Sequence, residues 1–304
     1  MHVKPIQDII NGDADNLAFT KLLLITRRTY YMRLGLSSPL EHQKPQEWAK
    51  KHVELGAGSV VFPLNADASE KLIEEYKQEA EKNNLVIAEV GVWRNTLAAD
   101  AKEKKDAIDY AIRQLDLADR LGANCCVNII GTSSGPIWDG GYAGNFSKKT
   151  WNDAVEMIRL IIDEVKPKNT KYSIEPMPWM YPTGPDEYLK LLEDVGRDEF
   201  GVHLDFINMI NCPQRYFFMD EFMDECFEKL GDKICSCHLK DVHLLEDFTF
   251  QLRETACGKG EMNVKRYIEK ATEISRDMPM IIEHLNSDEE YIESIGYVRS
   301  LLGI

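Results

Sequence analysis

No stretch of this sequence stays apolar for the about 18 residues that a membrane-spanning helix needs, and no charged-then-apolar leader opens it. The expectation is a cytoplasmic protein with no membrane partner. Glycine/serine linkers, low-complexity tracts and literal repeats are also lacking, which points to one domain over residues 1–304. Seven cysteines, two of them adjacent (Cys125 and Cys126), form no plausible disulfide framework in a chain of 304 residues. Basic residues are in deficit, 36 Lys and Arg against 51 Asp and Glu, for a net charge of -15. Such a surface repels phosphate backbones, so nucleic acid is excluded as a partner.

What the chain has is alternation. Short apolar runs begin at Arg33, Ser59, Leu85 and Cys125, and further runs end at Glu175, Asp205, His238 and Glu283. Between them lie amphipathic segments: Pro45 to Leu55, Ser69 to Asn83, Lys102 to Leu121, Trp151 to Val165, Pro185 to Leu192, Met219 to Leu230, Val264 to Ile274 and Glu289 to Leu302. Pro at a first turn (Pro45) and Gly after a last turn (Gly56, Gly122) mark helix ends. Continuous apolar strands separated by helices make a parallel sheet covered on its outside, and eight such pairs make a single (β/α)8 barrel of the TIM type. Residues 1–30 show no clean period and read as an N-terminal arm, with Arg27-Arg28 and Thr29-Tyr30-Tyr31 set to pack on the barrel bottom or on another subunit.

The last four strands each end on a metal-ligand side chain: Glu175, Asp205, His238 and Glu283, spaced by 30, 33 and 45 residues. That spacing is close to one strand plus one helix, so all four should meet at one rim, where barrels keep their chemistry. Three carboxylates and one imidazole suit a hard or borderline divalent ion, Mn2+ first, with Mg2+, Co2+ and Zn2+ open. Cys235 and Cys237 flank His238 and are read on its side of the strand, as core residues beneath the rim.

Longer connections follow the fourth strand (Gly131 to Lys149) and the seventh (Asp241 to Asn263). Trp138 and Asp139 in the first suggest a wall for a sugar, an aromatic face to stack and a carboxylate to bond hydroxyls. Arg94 at the rim and Lys240, on the parity of His238, are candidate substrate contacts, with a salt bridge as the other reading of Lys240. Glu89 reads as a partner of a neighbouring strand, His203 as a group beneath the ligands, His243 as a loop imidazole that could be a base. His284 should point away from Glu283. Gly258-Lys-Gly260 is a phosphate-friendly pattern or a tight turn.

Glu175-Pro-Met-Pro, His203-Leu-Asp205, His238-Leu-Lys-Asp and Ile-Glu283-His resemble the xylose-isomerase-like barrel superfamily of sugar isomerases, epimerases and related lyases. The resemblance implies that Glu175, Asp205, His238 and Glu283 hold one divalent metal and that the two glutamates serve as acid and base, so the catalytic set is Glu175, Glu283 and His238. Two positions depart from the ketose 3-epimerase pattern: Asn208 stands where a His is usual, and Leu244 where an Arg is usual.

Arg33-Leu-Gly-Leu, Glu89-Val-Gly-Val-Trp-Arg94, Trp138-Asp-Gly and Glu175-Pro-Met-Pro-Trp179 more closely resemble the catalytic α subunits of C-glycoside deglycosylating enzymes. This implies β-elimination of the aglycone from a 3-oxo-C-glycoside, a small β-rich partner subunit in a hetero-oligomer, and Arg94, Trp138, Asp139, Trp179, Asn208 and Lys240 as substrate-binding residues. Isomerisation or epimerisation of a ketose is the alternative, and a non-catalytic sugar- or metal-binding barrel subunit is the third.

Overall fold

The computed structural model describes residues 33–303, so the N-terminal arm lies outside the described residues. Eight parallel strands form the barrel: β1 (Arg33–Leu36), β2 (Ser59–Val61), β3 (Val86–Gly91), β4 (Cys125–Asn128), β5 (Lys171–Ile174), β6 (Phe200–Asp205), β7 (Ile234–Leu239) and, last in the chain, β10 (Pro279–Ile282). They pair in the order β1-β10-β7-β6-β5-β4-β3-β2. The remaining seam, between β1 and β2, is drawn together where the Gly58 N–H donates to the Leu34 carbonyl at 2.8 Å and Ser59 Oγ donates to the Arg33 carbonyl at 2.7 Å. A Cβ on Gly35 would stand 2.5 Å from the Ser59 carbonyl oxygen, so glycine is what lets these two backbones approach.

The outer helices are α1 (Pro45–Glu54), α2 (Glu70–Lys82), α3 (Ala101–Leu121), α4 (Lys148–Val165), α5 (Pro185–Val195), a short α6 (Pro213–Phe217), α7 (Met219–Leu230), α8 (Val264–Ile274) and α9 (Asp288–Leu302). Their ends follow local chemistry. Ser69, Asp100 and Ser147 accept N–H bonds from the first turns of α2, α3 and α4, and Gly122 closes α3 with φ 68°. The Ser147 cap starts α4 three residues before the Trp151 expected from apolar periodicity, because Lys148 and Lys149 are polar first-turn residues.

Two buried tyrosines tie helices to the strands that matter most. Tyr188 on α5 donates its hydroxyl to the Ile174 carbonyl at 2.5 Å and accepts the His203 N–H at 3.2 Å, bridging β5 and β6. Tyr267 on α8 donates to the Leu204 carbonyl at 3.1 Å. A register shift at Val202/His203 then sets Asp205 directly beside His238, and His238 beside Ile281.

The connection from Asp241 to Asn263 is not a plain loop. It folds into an antiparallel hairpin, β8 (Asp241–Leu244) with β9 (Leu252–Thr255), separate from the barrel sheet. Among the described residues, no helix is long and apolar enough to cross a membrane.

Candidate metal centre

Strand register brings the four expected ligands together. Glu175 follows β5, Asp205 and His238 are neighbours on β6 and β7, and Glu283 follows β10; all four are buried. His238 Nδ1 is their common point, 3.0 Å from Glu283 Oε2, 3.3 Å from Glu175 Oε1 and 3.6 Å from Asp205 Oδ2. One ligand atom from each residue lies within 4.8 Å of all the others.

Hydrogen bonding around this cluster leaves particular lone pairs over. Asp205 Oδ1 accepts the Asn208 N–H at 2.9 Å and Asp205 Oδ2 faces the Lys240 ammonium at 2.7 Å, while the buried His238 Nδ1 has no aligned hydrogen-bond partner. Buried polar atoms are rarely left so. An unpartnered imidazole nitrogen facing three carboxylates is what a divalent cation would satisfy.

Below the cluster, Glu89 Oε2 lies 3.2 Å from His238 Nε2, and Glu89 Oε1 accepts the Ser236 hydroxyl at 2.7 Å. A carboxylate at Nε2 holds a ring proton there. Burial disfavours charge on the ring, but the surrounding carboxylates outweigh it and raise the His238 pKa well above its ordinary value, so an ion would take the Nδ1 lone pair by displacing a second proton. His203 lies under the same ring, centroids 4.1 Å apart, with Nδ1 3.6 Å from Glu89 Oε1. Strand alternation puts Ser236, not Cys235 or Cys237, on the His238 side, which corrects the sequence reading; the Cys235 thiol instead donates to the Val202 carbonyl at 3.1 Å.

Electrostatics separates the two glutamates. Burial pushes the Glu175 carboxyl up to about 8, with the charges of Glu283 and Asp205 adding to the shift and His238 opposing it. Burial works against the Glu283 carboxylate too, but His238 and Lys240 outweigh it and hold that group below the ordinary range. Burial, with the charge of His238 adding to it and Glu89 opposing, drives His203 down to about 4, so it stays neutral.

Lys240 enters the cluster rather than facing the helices. Its buried Nζ is 2.7 Å from Asp205 Oδ2, 2.8 Å from Glu283 Oε1 and 2.9 Å from Glu254 Oε1. Glu254 comes from β9 and was not singled out in the sequence, since its hairpin lacks the apolar alternation of a strand. Its second oxygen lies 2.8 Å from His284 Nδ1. His284 adopts φ 57°, and this left-handed turn swings its ring back so that Nε2 is 3.5 Å from Glu283 Oε2. Alternation along an extended chain pointed it the other way, and the backbone turn is why that expectation fails.

Asn208 lies at the site, donating Nδ2 to Glu175 Oε1 at 3.0 Å, and Leu244 sits half-buried on β8. Asp139 and Trp179 meet where the loops after β4 and β5 come together: the Trp179 indole donates to the Asp139 carbonyl at 2.7 Å, and Asn145 Nδ2 donates to the Gly140 and Trp179 carbonyls. Trp138 packs half-buried against the core. Met177, in the loop after β5, touches the cluster, its sulfur 3.7 Å from Asn208 Nδ2. Arg94 is not brought to it; its exposed guanidinium stacks over Tyr110, 4.8 Å from the ring centroid, and donates to the Trp93 carbonyl. His243 pairs with Glu261 at 2.9 Å on the hairpin. The Gly258–Gly260 turn spends its N–H groups on the buried Asp241: Gly258 and Gly260 donate to Oδ2 at 3.0 and 3.1 Å, and Met262 donates to Oδ1 at 2.8 Å. It is a tight turn around a carboxylate, with no N–H left for a phosphate.

Comparison with known proteins agrees with this architecture. Residues 49–301 match the family described as Xylose isomerase-like TIM barrel. No curated protein matches the chain. Among solved structures it is similar to a Xylose isomerase-like TIM barrel protein from Mycobacterium smegmatis in complex with magnesium, with TM-score 0.64, 20% identity, and coverage of 90% of this chain and 97% of that one. The probable 3-DHS dehydratase of petrobactin synthesis from Bacillus anthracis gives TM-score 0.68, 15% identity and coverage of 90% and 99%. The 3-keto-D-glucoside 4-epimerase from E. coli gives TM-score 0.63, 12% identity and coverage of 88% and 99%. At these identities the likeness is one of fold.

Proposed function

Since the chain belongs to the Xylose isomerase-like TIM barrel family, we propose that it is a divalent-metal-dependent sugar enzyme that removes a proton α to a sugar carbonyl. One observation carries this: three buried carboxylates converge on a His238 Nδ1 that has no hydrogen-bond partner. Glu175, Asp205, His238 and Glu283 would hold the ion, Mn2+ or Mg2+. A bound ion supplies positive charge against the negative charge that develops on the carbonyl oxygen as the α proton leaves.

The residues themselves do the rest. Glu175, desolvated and oriented by Asn208, is a strong base once ionised and takes the proton. Glu283, paired with Lys240, is the weaker base. Glu89 keeps the His238 proton on Nε2. Trp138 and Trp179 offer aromatic faces to a ring, and the Asp139 carboxylate suits hydroxyls.

The finer reading is β-elimination from a 3-oxo-C-glycoside. The proton leaves C2, its electrons form the C1–C2 double bond, and the C1–aglycone bond breaks with its pair going to the aglycone, which takes up a proton. This reading is supported by Asn208 and Leu244 standing where ketose 3-epimerases carry His and Arg, and it includes a small β-rich partner subunit. A second reading, epimerisation or isomerisation of a ketose, is favoured by the two carboxylates Glu175 and Glu283 beside one ion site.

Product identification separates the two. Incubation of the Mg2+-loaded protein with a 3-oxo-C-glycoside and a panel of free ketoses, with and without a candidate partner subunit, is followed by NMR. Free aglycone with unchanged ketoses supports elimination. A new epimer or aldose without aglycone moves the assignment to the second reading.

A further inference from the structure

Lys240 is the buried cation of the site, and an ammonium has three N–H donors. Three carboxylate oxygens lie within 2.9 Å of it: Asp205 Oδ2, Glu283 Oε1 and Glu254 Oε1. Asp205 and Glu283 belong to the ion site, but Glu254 does not. It is supplied by the hairpin, its side chain is 39% exposed, and it approaches from the solvent side. Without Glu254, Lys240 would keep Asp205 and Glu283 but present one free N–H to whatever enters.

The other donors nearby are engaged, His284 Nδ1 by Glu254 itself at 2.8 Å. The Gly258–Gly260 amides are consumed by Asp241, Arg94 is turned onto Tyr110, and Arg215 donates to the Met209 and Thr183 carbonyls. Asp205, Glu254 and Glu283 pair with the single ammonium of Lys240 while Glu89 and Glu175 lie against His238, so even a divalent ion leaves the cluster without excess positive charge.

We propose that Glu254 is a specificity-determining residue that saturates Lys240 and so reserves the site for uncharged sugars, excluding phosphorylated or otherwise anionic ones. This rests on the sugar-site reading for the nature of the ligand, but the anion exclusion is a property of the cluster and stands apart from turnover. The hairpin thereby acts through charge, as a donated counter-ion that a plain barrel loop would not supply. Lys240 then holds Asp205 and Glu283 in place and contacts no substrate.

The test reads binding of inorganic phosphate to the Mg2+-loaded protein by 31P NMR and calorimetry, in wild type, Glu254→Ala, and the double variant Glu254→Ala/Lys240→Met. The wild type should bind phosphate weakly. Glu254→Ala should bind it at least about tenfold more tightly, as the removal of one facing like charge warrants, and the double variant should lose the gain. If Glu254→Ala fails to fold, Glu254→Gln, which removes the charge and keeps the shape, should show a gain in the same direction. Equal phosphate affinity in wild type and the Glu254 variant, or a gain that survives loss of Lys240, would overturn the proposal. Because no reaction is read, failure of the proposed enzyme activity and failure of this inference are told apart.

Discussion

Replacing Glu89 changes a residue that touches no expected substrate, yet the geometry ties it to metal affinity. Its Oε2 lies 3.2 Å from His238 Nε2 and its Oε1 takes the Ser236 hydroxyl at 2.7 Å, both in the buried core. Glu89→Leu removes the acceptor, so the ring proton is free to move to Nδ1 and the lone pair facing Glu175, Asp205 and Glu283 is lost. Glu89→Gln retains an acceptor but not the charge that makes the imidazole a better donor. Losses of this kind reduce metal affinity by about 10- to 100-fold, or about 1.4–2.7 kcal/mol. The expected order is wild type, then Glu89→Gln at about tenfold weaker, then Glu89→Leu near about a hundredfold weaker. Mn2+ titration followed by electron paramagnetic resonance measures it, with circular dichroism to establish folding. A folded Glu89→Leu protein that binds Mn2+ as the wild type does would refute the reasoning, and His238 would then need no partner at Nε2.

Other consequences follow from the same geometry. Burial holds the metal-free Glu175 carboxyl at about 8, whereas the ion requires it ionised; below that pH, metal binding displaces its proton along with any second proton on His238. Apparent affinity should therefore rise by up to about tenfold per pH unit for each proton displaced, and the Glu175 share should level off above about 8. Mg2+ titrations between pH 6 and 9 check this, and a flat profile would contradict the burial of a proton at Glu175. Tyr188→Phe removes the hydroxyl that bridges β5 and β6, and should cost about 1–3 kcal/mol in urea unfolding while weakening metal binding through the displaced Glu175 and Asp205. Gly35→Ala should destabilise the protein by more than an ordinary surface substitution, because its Cβ meets the Ser59 carbonyl at 2.5 Å; thermal denaturation reads it.

The barrel and its four converging side chains were legible because the strands are continuous apolar runs, and each of the last four ends on a buried polar side chain. Glu175, Asp205, His238 and Glu283 could be placed on one rim from spacing alone, since parallel strands of a barrel share a direction. Glu254 could not. Leu252-Arg-Glu-Thr shows no alternation; β8 pairs with it, Val242 opposite Glu254, and just beyond the two strands the Leu245 N–H donates to the Gln251 carbonyl at 2.9 Å. His284 failed for another reason: a left-handed residue breaks the two-residue period, and nothing in the sequence marks that turn as glycine would. Arg94 follows β3, but the attraction of the Tyr110 face holds its guanidinium there, away from the cluster. Side-chain direction after a strand ends is decided by neighbours distant in sequence.

The most direct test of the central claim is incorporation of solvent deuterium at the carbon next to the carbonyl of a 3-oxo sugar, read by NMR in D2O. The wild-type protein is compared with and without Mg2+, alongside Glu175→Gln. Exchange that needs both the ion and the Glu175 carboxylate is the predicted result. Exchange that continues undiminished after metal removal, or in Glu175→Gln, would contradict the account.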